Sequence, residues 1–184
     1  MPGQAQAIVV SGHMIDAPDR PEPRFPASSV PRVTAGIRDA LDGWGVGPGT
    51  TVVTGGARGA DLIAAEEALS RGASVRLVLA LPPEDFERES VVLPGTDWVA
   101  RFRAVRDAAD VSVIPASPGG DVFARTNARI IDEARALDPS PRALLVWDGR
   151  EGDGPGGTSD FARAFGGGDR VRVIDPSPQA PPPA

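Results

Sequence analysis

The sequence predicts an α/β domain on a mainly parallel sheet, and two patterns in the chain support this. Short β-rich apolar runs alternate with longer segments of helical periodicity, the signature of consecutive strand-helix-strand units. Glycine-rich stretches fall where a run gives way to a helical segment, at turns that call for unusual backbone angles. A length of 184 residues suits one ordinary domain with its own core.

Strands are expected at 6–11, 50–54, 73–80, 111–114, 142–147 and 170–174. Helices fall between them. Over 60–71 the residues Leu62, Ala65 and Leu69 share a face, and over 97–109 so do Trp98, Phe102, Val105 and Ala109, with Thr96 placed to cap the start. A helix over about 121–137 turns Phe123, Ile130, Ala134 and Leu137 inward. A short one over 159–165 pairs Phe161 with Phe165 before Gly166, Gly167 and Gly168 end it. This order predicts a Rossmann-like, doubly wound sheet of about six strands with helices on both faces, spanning residues 1–175. Residues 12–31, with Pro18, Pro21, Pro23, Pro26 and Pro31, carry no periodicity and read as a ligand lid or a disordered insert. Residues 176–184 read as a proline-rich tail or linker.

Composition narrows the chemistry. There is no cysteine and His13 is the single histidine, which argues against thiolate chemistry, a cysteine zinc site and a serine triad. No metal or cofactor is expected. A formal net charge of −6 opposes the counterion release that drives non-specific nucleic-acid binding. The apolar runs at 75–81 and 142–147 are far shorter than the ~20 residues that span a bilayer, and the N-terminus lacks a basic start followed by an apolar stretch. The expected setting is the cytoplasm, without membrane or nucleic-acid partners.

In an open parallel sheet ligands bind beyond the carboxyl ends of the strands, and every polar motif here follows a strand. After the second strand come Gly55, Gly56, Arg58 and Gly59 at the mouth of a helix. There, backbone N–H groups and the helix N-terminus favour an oxyanion, and Arg58 offers a planar fork of donors. The fifth strand leads through Asp148 into Gly156, Gly157 and Thr158, again opening a helix. Arg125 and Asn127 sit early in the helix before that strand. Ser11, Gly12 and His13 end the first strand and start the proline-rich loop with Arg20 and Arg24, while Glu87, Arg88 and Glu89 offer a polar rim after the third. Each motif also has a structural reading: a glycine turn, a helix cap, a solvated arginine or a histidine that only bonds its neighbours.

Taken together, SGHMIDAPDRPEPRFP, VVTGGARGADLIAAEEAL, FARTNARIIDEA and LLVWDGREGDGPGGTSDF resemble the SLOG superfamily of Rossmann-like nucleotide-sensing domains, which includes LOG phosphoribohydrolases and DprA-like proteins. The resemblance covers most of residues 7–165 and is closest to bacterial SLOG domains attached to signalling or effector modules. It implies a nucleotide-derived ligand. LOG enzymes carry a Pro-Gly-Gly-x-Gly-Thr-x-x-Glu signature and an arginine on the preceding helix. Pro155, Gly156, Gly157 and Thr158 match it in part, and Arg125 stands where that arginine would. The x-Gly pair is absent, however, and Phe161 takes the glutamate position. Asp160 and Asp148 are the carboxylates left for an N-glycoside hydrolase.

The leading expectation is therefore a sensor domain that binds a nucleotide-like, phosphate-bearing small molecule. A nucleoside 5′-monophosphate N-glycoside hydrolase and a ligand-free interaction scaffold are the alternatives, and a homo-oligomer or an attached effector domain stays open.

Overall fold

The computed structural model describes residues 5–119, 121–151 and 157–179. Six strands form one fully parallel sheet: β1 Gln6–Gly12, β2 Thr50–Thr54, β3 Ser74–Leu79, β4 Asp110–Val113, β5 Arg142–Val146 and β6 Val171–Ile174. Their spatial order is β4-β3-β2-β1-β5-β6. The fold is Rossmann-like. Its helices are α1 Val30–Gly43, α2 Ala60–Ser70, α3 Pro83–Phe86, α4 Trp98–Ala108, α5 Val122–Leu137 and α6 Thr158–Phe165.

Alternation along the strands decides which residues face which layer. In β1, Ile8 and Val10 join a core with Val33, Ile37 and Leu41 of α1, the buried residues of α2, and Trp98, Phe102 and Val105 of α4. Ala7 and Val9 point the other way, into a smaller core with Ile130, Ile131 and Ala134 of α5 and Phe161 of α6. Buried on both faces, the central strands can be runs of valine, isoleucine and leucine.

Helix α1 has no counterpart in the sequence reading, although Val33, Ile37, Ala40 and Leu41 give it a clear apolar stripe. The proline-rich segment before it hid its start, because Pro31 occupies a first-turn position where a missing N–H costs nothing. Between β1 and α1 the chain forms an ordered strap rather than a disordered insert. Phe25 is fully buried, Asp16 Oδ2 accepts from the amides of Arg24 and Phe25 at 2.8 Å, and Met14 forms an isolated antiparallel bridge with Gly59. After α3, Glu87–Val91 forms a π-helical turn, with Glu87 bound to Arg103 of α4. At the other end of the chain, Arg32 donates to the carbonyls of Asp175 and Ser177.

Candidate functional site

The topology places a crevice at one spot. From β1 the chain winds outward to β4 over the α1, α2 and α4 face, then returns through α5 on the opposite face to lay β5 against the free side of β1. Loops leaving β1 and β5 therefore part to opposite faces, which opens a gap at the carboxyl end of the sheet. A cleft of about 510 Å³ fills that gap.

Of the residues expected at the site, Ser11, Gly12 and His13 line the cleft from β1, Gly55 and Arg58 from the loop after β2, and Asn127 from α5. Gly157 and Thr158 line it from the start of α6. Gly56, Gly59, Arg125, Asp148 and Asp160 are not in its wall, and Gly156 lies outside the described residues.

Amides of the first glycine loop are taken up by the protein itself. Ala57 N–H donates to Asp61, Arg58 N–H to the Ser90 carbonyl and Ala60 N–H to the His13 carbonyl. Three of its amides thus have internal acceptors. Gly59 is needed for contact: with φ at +103°, a Cβ there would lie 2.8 Å from Ile15 N and 2.9 Å from the His13 carbonyl oxygen. Arg58 spans this junction, donating from Nε to the Ile15 carbonyl and from Nη1 to the Val92 carbonyl, at 3.2 and 3.3 Å. Arg58→Ala should therefore lower the ligand-free melting temperature. A loss of about 1–3 kcal/mol corresponds to roughly 2–12 °C for a domain of this size, readable by calorimetry.

On the other side Gly157 precedes α6 and Ser11 Oγ lies 3.3 Å from Thr158 Oγ1. Asn127 Nδ2 donates to the Gly157 carbonyl at 3.5 Å, tying α5 to this loop. Gly12 lets β1 and α2 meet, since a Cβ would come within 2.5 Å of Ala60 Cβ and 2.7 Å of Val146 Cβ. Arg125 turns away and donates to the Pro115 carbonyl at 2.9 Å.

Behind the cleft wall, Asp148 gathers the strap. Arg24, only 9 % exposed, binds it with Nε and Nη2 at 2.9 and 2.7 Å, Arg150 adds its amide and Nε at 3.0 Å, and His13 Nε2 lies 3.2 Å away. Burial pushes the Asp148 carboxyl up, but Arg24, the Arg150 amide and His13 together hold it well below the usual carboxylate range. Burial also pulls His13 below its ordinary value, against the pull of Asp148. Asp160 sits within α6, paired with Arg163.

The sequence reading passed over several cleft residues. Phe86, Phe123, Trp147 and Phe161 line it with apolar surface, and Phe123 is 46 % exposed. Asp61 also lines it; its signal was a carboxylate two residues past Gly59, in the first turn of α2.

No family model and no curated protein matches this chain. Among solved structures, it is similar to DNA processing protein A (DprA) from Streptococcus pneumoniae, with 15% identity and a TM-score of 0.42 over 92% of this chain and 58% of that one. It therefore spans less than two thirds of that protein. It is also similar to TM1055, a structural-genomics target, with 21% identity and a TM-score of 0.31 over 92% and 91% of the two chains. Among the described residues no helix is long and apolar enough to cross a membrane.

Proposed function

We propose that this domain binds a nucleotide-derived, phosphate-bearing small molecule in the cleft at the β1/β5 gap. The observation that carries this reading is the pairing, in one cleft, of a helix N-terminus flanked by hydroxyls with an aromatic wall. The start of α6 offers the Thr158 and Ser159 amides to a phosphate, the Asp160 amide being bonded to the Gly157 carbonyl at 3.1 Å, next to the hydroxyls of Ser11 and Thr158. Phe123 and Trp147 offer flat apolar surface to a base. Arg20 and Arg24 from the strap also line this cleft, Arg24 paired with Asp148 and Arg20 beside Asp16. The phosphate goes to the second glycine loop in this reading, because amides of the first have internal acceptors. The hydrolytic alternative draws less support: Asp148 is engaged by two arginines and Asp160 by Arg163, which leaves neither free of a cationic partner to handle a proton.

A ligand at ~100 times its dissociation constant adds ~2.7 kcal/mol, or roughly 5–10 °C of melting temperature for a domain of this size. Thermal scans with AMP, ADP-ribose and cyclic AMP should show such a rise. Gly157→Val should abolish it, at a ligand-free cost of about 1 kcal/mol, or roughly 2–4 °C, because valine is a poor N-cap residue. The backbone there is extended, with φ at −82° and ψ at 176°, which suits a β-branched residue, whereas its side chain would block close approach to the cleft wall. If no nucleotide in the panel shifts the wild-type domain, the reading fails.

A further inference from the structure

We propose that Asp61 determines ligand specificity, accepting a hydrogen bond from a sugar hydroxyl at the floor of the cleft, and this inference rests on the nucleotide-binding reading above. Asp61 is the second residue of α2, where a carboxylate ordinarily serves the helix terminus from solvent. Here it is 8 % exposed. Its Oδ2 accepts the Ala57 amide at 3.2 Å, while Oδ1 is buried with no hydrogen-bond partner among the described residues. A buried acceptor left unpaired is costly, and the cost disappears once a donor arrives. Asp61 lines the cleft, so the donor can come from a bound ligand. Gly55 leaves room for the carboxylate itself: a Cβ there would sit 3.2 Å from Oδ2.

The polarity of the partner follows from charge. An ionised carboxylate repels a phosphate and attracts a hydroxyl proton, so the sugar belongs at Asp61 and the phosphate at α6. Around Asp61, β2 presents Thr54, α5 presents Thr126 and Asn127, and α6 presents Thr158. β1 contributes Ser11 and His13, the strap Asp16, Arg20 and Arg24, and its own loop Arg58. Burial pushes the carboxyl up to about 7, opposed by the Ala57 amide, by the Thr54 hydroxyl and by the Gly56 amide, with no charged neighbour contributing. The Thr54 hydroxyl lies near enough to favour the charged form without reaching hydrogen-bond geometry. A sugar hydroxyl donating to Oδ1 favours the ionised form further. Binding therefore expels a proton from Asp61 near neutral pH, and affinity rises as pH increases through about 7.

The test is calorimetric titration of the whole chain with AMP and with 2′,3′-dideoxy-AMP between pH 6 and 8, in buffers of different ionisation enthalpy. AMP should bind roughly 10- to 100-fold more tightly and release more protons than the dideoxy compound. The phosphate's own titration is common to both ligands and cancels. Asp61→Asn, which keeps an oxygen for the Ala57 amide but has no proton to release, should erase the difference in proton release. Should that variant fail to fold, the comparison of the two ligands in the wild type still decides. Equal affinity and equal proton release for the two ligands would overturn the role of Asp61 while leaving nucleotide binding intact. Binding of neither would overturn both.

Discussion

Asp148→Ala should lower the melting temperature of the ligand-free domain by roughly 6–20 °C. The carboxylate is the common partner of Arg24, Arg150 and His13, and Arg24 lies in the strap behind a nearly closed surface. Removing one member of a buried ion pair leaves the other desolvated and uncompensated, at a cost of about 3–5 kcal/mol, with each kcal/mol worth roughly 2–4 °C at this chain length. The pH dependence has a definite sign. The folded carboxyl is depressed below its unfolded value near ~3.9, so its stabilisation is fully present above about pH 4 and is lost as pH falls through the folded value. The gap between wild type and variant should therefore be widest near neutrality and narrow towards pH 3. A variant that melts within 2 °C of wild type at pH 7 would mean that the strap is held by other contacts.

Gly59→Ala should produce a loss of comparable size by a different route. With φ at +103° and ψ at −127°, the residue occupies backbone space that is essentially glycine's alone, and forcing a side chain there costs of order 1–3 kcal/mol. The new Cβ also meets backbone atoms of His13 and Ile15, which cannot swing aside as a side chain can. This adds roughly 1–3 kcal/mol of overpacking. The sum corresponds to a fall of roughly 4–24 °C, measurable by scanning calorimetry. A drop of under 2 °C would indicate that strap and loop separate at little cost.

The strand positions and the doubly wound order were legible because buried parallel strands leave apolar runs such as those at 77–81 and 143–147, and because loops after them are glycine-rich. What stayed hidden was hidden for physical reasons. Proline at the start of α1 looks like a breaker in sequence, yet the first turn tolerates it, so residues 32–43 were given no element of their own. Gly59 looked like a phosphate loop residue, but the same lack of a Cβ that would admit a ligand here admits the backbone of His13 to Ile15. Arg58 looked like an anion clamp. Its acceptors are carbonyls of residues 15 and 92, and no local pattern reports a partner so distant in the chain. Asp61 was missed because an acidic residue in a first helical turn is ordinary, and only burial makes it unusual.

The pairing of β1 with β5 bears on how the chain comes to be folded. Val10 lies opposite Leu144 and Gly12 opposite Val146, so the middle of the sheet is completed by residues that leave the ribosome long after β1 to β4. Until then β1 is an edge strand of apolar residues with unpaired backbone groups, a template for pairing with another chain. Closing so long a loop makes this step slow relative to the local βα units. The crevice that defines the site thus sits on the seam that must close across the longest stretch of chain, and nascent chains are most exposed to mispairing at the place where the finished domain has its cleft.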